Sequence, residues 1–284
     1  MRLLARAAIL ATFALACAAS PAEAAGKGAA HGRPSAARKG PAPQSIGAPN
    51  SGKLVGAARL RGTRHLEPRP GTHSWGLPVL VDLLRRAAGD VAARHKGSVL
   101  LVGDLSAAGG GPLSGHKSHQ SGRDADVGFF VANSKGKPVQ VHRFLAFDGD
   151  GKARSGPAWA RFDDARNWAL VEALFKEERR EGVAVRFLFV SSDLKARLLA
   201  YAAKKGAHKE AIDRAAAAML SPEHVDVHDD HFHVRLRCPA GMSACVEESM
   251  PRSAAATPAI DPGGADPAKE PASTPDPKGD DADP

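Results

Sequence analysis

Flat aromatic side chains are scarce in this chain: one tyrosine, three tryptophans and ten phenylalanines make up 5% of 284 residues. That scarcity argues against a surface built to stack bases. The point matters because the chain is basic, with 39 Lys and Arg against 31 Asp and Glu and a formal net charge of +8. Such a surface favours polyanions through its field alone. No zinc-finger, RRM or Walker pattern accompanies the charge, so nucleic acid is not expected as a partner. Long hydrophobic runs are missing too. Beyond the first residues no apolar stretch approaches the roughly 20 residues of a membrane helix. The patterns His-Glu-x-x-His, Gly-x-Ser-x-Gly and Gly-x-x-x-x-Gly-Lys-Ser/Thr do not occur. Their absence removes the glutamate base of one metallopeptidase class, the serine nucleophile elbow and the phosphate-binding loop, and leaves histidine as the natural general base.

Cysteine is nearly absent: there are three. The first, Cys17, falls in a segment that reads as a secretory signal over residues 1–24. Arg2 and Arg6 supply positive charge, Ala7 to Ala19 is a short apolar run, and Ala22-Glu23-Ala24 places cleavage after Ala24. A rival reading makes Cys17 a lipid acceptor, but Ala14-Leu15-Ala16 before it matches the usual lipobox poorly. Cleavage leaves Cys238 and Cys245. Export to an oxidising compartment and a separation of seven residues favour a disulfide between them. Two free buried thiols, or half of a metal site, are the alternatives.

Residues 25–42, rich in Ala, Gly, Pro and basic residues, read as a flexible linker, and residues 251–284 as a disordered acidic tail. One domain is expected over 43–250. Within it, Pro78 to His95 has helical apolar spacing through Leu80, Val81, Leu84, Ala88 and Val91. Strands are expected at Ser98–Gly103, Ala125–Val131, Val139–Phe147 and Val183–Val190. Asp163 or Asp164 caps a helix to about Arg180 that Gly182 ends. Ser192 caps a helix over Leu194–Lys205, and a further helix runs from about Lys209 to Leu220. Adjacent strands without an intervening helix favour an α+β fold with a small, mostly antiparallel sheet flanked by helices.

What stands out is histidine. Six of the twelve fall between 116 and 126 or between 224 and 233. From His231 the chain alternates, with His231, His233, Arg235 and Arg237 on one face of a strand and Phe232, Val234 and Leu236 on the other. Upstream, His116 and His119 lie in a Gly-flanked loop before Asp124 and Asp126, which share a strand face. Two imidazoles and a carboxylate suit zinc, leaving a net +1 that acidifies a bound water. On the last strand one of His231 and His233 ligates while the other stands beside the open position; spacing does not say which. Asp124 reads as an outer acceptor for a ligand histidine. Asp229 and Asp230 are turn residues or orient His228 or His231, and Arg235 and Arg237 bind substrate carboxylates or simply face outward. His142 and His224 read as ordinary polar positions.

The stretches Gly115-His116-Lys117-Ser118-His119-Gln120-Ser121-Gly122-Arg123-Asp124-Ala125-Asp126 and His231-Phe232-His233-Val234-Arg235-Leu236-Arg237-Cys238-Pro239 resemble the signatures of the penicillin-insensitive murein endopeptidases. These are zinc enzymes grouped with the lysostaphin-like, D-Ala-D-Ala peptidase and hedgehog-type folds. The resemblance runs from Gln44-Ser45-Ile46-Gly47 through Cys245 and takes in Trp75-Gly76-Leu77-Pro78 and Val102-Gly103-Asp104-Leu105. It implies zinc held by His119, Asp126 and His233, with His116 lining the site and binding metal in some states. It implies His231 as base and His228 as a further catalytic histidine. It also implies a periplasmic, serine-independent hydrolase that cuts D-alanyl–meso-diaminopimelyl cross-links of peptidoglycan, and the Cys238–Cys245 disulfide fits its pattern. Two departures stand against it. Members have more cysteines, and Asp150-Gly151-Lys152-Ala153 lacks the final histidine with which some take a second metal. The rival functions are a D,D-carboxypeptidase on the same scaffold and a catalytically silent zinc-holding module that binds the wall.

Overall fold

The first described elements are a hairpin, β1 (Gln44–Ala48) and β2 (Ser51–Val55), followed by the short strands β3 (Ala58–Arg59), β4 (Leu66–Pro68) and β5 (Trp75–Gly76). The computed structural model describes residues 40–221 and 228–247. The signal segment with Cys17, nearly all of the basic linker, His224 and the acidic tail lie outside the described residues. The chain divides between Lys39 and Gly40 into two units, and the second holds every described residue.

Helix α1 (Pro78–Arg94) begins with proline at a position that needs no N–H. It buries Leu80, Val81, Leu84, Ala88 and Val91, the face its spacing marks, and Leu83 and Ala87 beside it. Strands β6 (Leu100–Val102), β7 (Asp124–Gly128), β8 (Val131–Ala132), β9 (Pro138–Val139) and β10 (Arg161–Phe162) follow. Helix α2 (Asp164–Glu181) is capped by Asp163, whose carboxylate accepts from Arg166 N–H, and ends at Gly182 in the left-handed region at φ 68°. Then come β11 (Val185–Phe189), α3 (Ser192–Lys204), α4 (Lys209–Ala218), β12 (Met219–Leu220) and β13 (His231–Leu236).

The principal sheet has six strands in the order β12-β11-β13-β7-β6-β4. Its three central pairings, β11–β13, β13–β7 and β7–β6, are antiparallel; the outer two, β11–β12 and β4–β6, are parallel. The architecture is α+β, as the strand spacing implies. One face of the sheet is apolar. Ala125, Val127, Phe232, Val234 and Leu236 are all fully buried in a core shared with α1 and α2. Phe232 stands edge-on to Phe129 with ring centroids 4.8 Å apart. Burying a side chain of that size is worth about 1.5–3 kcal/mol, so this apolar stripe holds β13 against the core and sets which residues its other face presents. No helix among the described residues is long and apolar enough to cross a membrane.

Three expected elements differ. The strand expected over Ala125–Val131 breaks after Gly128, because the Asn167 side chain bonds both the N–H and the C=O of Phe130 in place of a neighbouring strand. The strand expected over Val139–Phe147 exists only at Pro138–Val139. Its alternation is real, with Leu145 and Phe147 buried, but its backbone bonds to scattered partners: Phe147 N–H to Asp229 O, and Ala146 N–H to Ser155 Oγ. The helix expected to Leu220 stops at Ala218, and Met219 and Leu220 join the sheet beside Leu188 and Phe189. Smaller shifts occur at α3, where Ser191 rather than Ser192 precedes the first helical residue and makes no side-chain cap.

Candidate metal centre

The register of β13 on β7 builds the site. His233 lies opposite Asp126, Arg235 opposite Asp124 and His231 opposite Gly128. Cross-strand partners share a face, so two carboxylates, two imidazoles and a guanidinium meet on the side of the sheet away from the aromatic core.

Asp124 is fully buried, and its Oδ1 accepts from His233 Nε2 at 2.8 Å and from Arg235 Nε at 2.6 Å. Burial alone would raise its pKa; Arg235 and His233 overcome that and hold the carboxyl far below its ordinary range. As a carboxylate it only accepts, so Nε2 of His233 carries the hydrogen and Nδ1 is left with its lone pair. That Nδ1 stands 3.7 Å from Asp126 Oδ1.

His119 arrives from the loop between β6 and β7. Its backbone is in the left-handed region, at φ 69°, a conformation that costs a non-glycine residue free energy and clusters at functional sites. Ser106 Oγ donates to His119 O at 2.5 Å and holds the turn. His119 Nδ1 donates to Leu105 O at 2.6 Å, which fixes the tautomer and points the Nε2 lone pair at Asp126 Oδ1, 3.3 Å away. His116, 4.4 Å from His119 between ring centroids, has Nδ1 at 3.8 Å from Asp126 Oδ2 and Nε2 at 3.3 Å from Asp104 Oδ2.

His231 Nδ1 is 2.5 Å from Asp230 Oδ1 and its Nε2 is 3.3 Å from Asp126 Oδ1. Burial would lower its pKa, but the Asp126 and Asp230 carboxylates push it up to about 9. His228, also at positive φ (72°), packs flat against Phe189 and edge-on to His231 at 5.2 Å. Burial and the neighbouring His233 and His231 lower its pKa to about 3. Burial likewise lowers His233, to about 4.

The structure thus brings His116, His119, His231 and His233 together around the Asp126 carboxylate, with Asp124 and His228 behind them. Among the described residues, His116, His119 and Asp126 form a group of three donors that could hold an ion, with ligand atoms within 4.8 Å of one another. Buried His119 Nε2 and Asp126 Oδ1 face each other with no hydrogen-bond partner among the described residues. Unsatisfied buried polar atoms are costly, and an imidazole nitrogen facing a carboxylate oxygen is a donor pair that suits zinc. The residues present fit that metal.

Asp230, left open between turn and partner, touches His231. Arg235 does not reach out to solvent: only 5% exposed, it is spent on Asp124. Arg237 is exposed. His142 pairs with Glu67 at 2.8 Å rather than with any of the candidate metal ligands. Three residues that the local sequence patterns do not mark also come near the site: Asp104 beside His116, Phe144 against His231 and Arg69 over Phe144. Asp104 sits among apolar residues after a buried strand, a position where a lone carboxylate is itself a signal. Cys238 and Cys245 are joined in a disulfide. Arg123, wholly buried, donates to Leu236 O and Val246 O and holds that closing loop against β13.

The model of the penicillin-insensitive murein endopeptidase family matches residues 45–259 of the chain. The chain is similar to a penicillin-insensitive murein endopeptidase of Klebsiella pneumoniae, 30% identical over 215 residues, 73% of this chain and 71% of the relative. A protein of the same description from Haemophilus influenzae is 30% identical over 72% of this chain and 67% of its own. One from Yersinia pestis is 28% identical over 74% and 71%.

Proposed function

The chain belongs to the penicillin-insensitive murein endopeptidase family, and from that premise we propose that it is a zinc-dependent D,D-endopeptidase of the periplasm that hydrolyses D-alanyl–meso-diaminopimelyl cross-links of peptidoglycan. The observation that supports this most is the convergence of three imidazole nitrogens on one buried oxygen. His119 Nε2, His231 Nε2 and His233 Nδ1 lie 3.3, 3.3 and 3.7 Å from Asp126 Oδ1. His119, Asp126 and His233 would hold the metal, with His116 beside them. When bound, zinc acidifies a water, polarises a carbonyl oxygen and neutralises the Asp126 charge that otherwise keeps His231 protonated.

The chain's own groups then divide the work. Asp230 holds His231 by Nδ1–H, which leaves Nε2 to take a proton from the attacking water and return it to the leaving amine. Asp124 fixes the tautomer and the ring plane of His233, as Leu105 O does for His119. His228 stays neutral down to acid pH and offers a ring N–H to a developing oxyanion rather than a second charge. The export signal at 1–24, the linker at 25–42, the catalytic domain at 43–250 and the tail at 251–284 belong to the same proposal.

The test is digestion of purified peptidoglycan followed by mass spectrometry. The expected products are monomeric muropeptides formed from cross-linked dimers, lost on chelation and restored by zinc. Release of D-alanine from monomers would instead make the chain a carboxypeptidase, and zinc binding without cleavage a silent wall-binding module.

A further inference from the structure

Phe144, beside His231, and Arg69, over Phe144, take no part in the metal binding or proton transfer proposed for the centre. Phe144 comes from the irregular segment after β9, and its ring stacks on that of His231, 5.1 Å between centroids and 18° between planes. Gly103 and Gly128 make room for it. A Cβ on Gly103 would meet the Phe144 ring at 2.7 Å, and one on Gly128 at 2.9 Å. Over the same ring, at 4.7 Å from its centroid, lies the guanidinium of Arg69.

Arg69 is held from its backbone. Its N–H bonds Val102 O at 2.7 Å, continuing the β4–β6 ladder, and Pro70 behind it restricts the chain to extended geometry. Its side chain is 35% exposed. The nearest carboxylate oxygen, Asp104 Oδ2, is 4.0 Å away, and Asp104 already accepts from His73 N–H and contacts the rings of His73 and His116. The Arg69 side chain makes no hydrogen bond among the described residues. It therefore presents a planar fork of N–H donors, pre-oriented by an aromatic face and set one ring away from the catalytic histidine. The other guanidiniums near the centre have carboxylates close by: Arg235 on Asp124 at 2.6 Å and Arg154 on Asp229 at 3.2 Å.

We propose that Arg69, seated on Phe144, is the residue that takes up a carboxylate of the substrate. The inference rests on the endopeptidase reading and deepens it. In a D-alanyl–meso-diaminopimelyl link the carbon bearing the scissile nitrogen also carries a free carboxylate. A charge so near the reacting amide needs a cation close to the proton-transferring histidine, and a guanidinium fork matches a carboxylate with two parallel hydrogen bonds. Arg69 is thus a specificity residue for acidic over amidated peptide stems.

The experiment compares two dimeric muropeptides, one with that carboxylate free and one with it amidated, using the zinc-loaded full chain, and measures in parallel the binding of free meso-diaminopimelate. The wild type should prefer the free acid by roughly 10- to 100-fold in kcat/KM, the worth of a charged hydrogen-bonded pair, with the difference in KM. R69A should bring that ratio close to one and weaken diaminopimelate binding; R69K should keep part of both. An R69A ratio equal to that of the wild type would overturn the proposal while leaving the endopeptidase reading intact. Should the wild type cleave neither dimer, the endopeptidase reading fails, and Arg69-dependent binding of diaminopimelate then decides for or against the carboxylate site by itself. R69K keeps the charge, so a folding defect confined to R69A does not stop the comparison.

Discussion

His233 Nε2 and Arg235 Nε converge on a single oxygen, Asp124 Oδ1, at 2.8 and 2.6 Å. The carboxylate does two jobs at once. It compensates a guanidinium that is only 5% exposed, and it decides which nitrogen of His233 is free to face Asp126.

D124N should therefore weaken zinc binding by about 10–100-fold, the usual effect of losing the group behind a ligand histidine. D124A should also lower stability by about 3–5 kcal/mol, since it leaves a buried arginine charge uncompensated. Zinc titration and denaturant unfolding measure the two effects separately. Unchanged affinity in D124N would mean that Asp124 serves the fold alone.

The ligand set predicts metal loss. His119→Ala or His233→Ala should abolish both zinc retention and peptidoglycan cleavage, and chelation should do the same to the wild type. Metal content by mass spectrometry checks it. Full occupancy in either variant would move the ligand role to His116, which already stands with His119 and Asp126.

His231→Ala should keep zinc and fold and lose about 10²–10⁴-fold in turnover, the contribution of a positioned general base. Near-normal turnover with zinc retained would shift the proton-transfer role to His228, 5.2 Å away.

The metal-free protein should be most stable near pH 6.5. His231, raised to about 9 by its carboxylate neighbours, contributes stability that is complete below its unfolded pKa of about 6.5 and is lost as pH climbs through 9. His228 and His233, lowered to about 3 and about 4 by burial, contribute stability present above about 6.5 and lost as pH falls toward those values. Thermal melts of the chelated protein between pH 4 and 9 read this directly. A melting temperature that keeps rising from pH 6.5 to 9 would contradict the environment assigned to His231.

Local patterns were legible where one residue type settles one local choice. Pro78 and Gly182 mark the start of α1 and the end of α2 by their backbone preferences, and Asp163 caps α2 through its own side chain. The alternation from His231 to Leu236 declares a strand with one apolar face. The segment from Val139 to Phe147 carries the same alternation but joins a ladder only at Pro138–Val139, because beyond it the backbone bonds to separate partners, Phe147 N–H to Asp229 O and Arg154 N–H to Ala146 O, rather than to one continuous strand. Met219 and Leu220 read as helix and lie in the sheet for the converse reason: Leu188 and Phe189 offer them an edge.

The chemistry divides along the same line. Sequence by itself determined which residue types were present to bind a metal, and their spacing put Asp124 with Asp126 and His231 with His233 on shared strand faces. Tertiary structure alone decided that Asp126 lies opposite His233, since register is a relation between two strands separated by a hundred residues of chain. It alone turned Arg235 inward to Asp124 and brought Asp104, Phe144 and Arg69 to the centre. Each of these depends on distances between segments that share no local pattern, and short-range preferences along the chain carry no information about them.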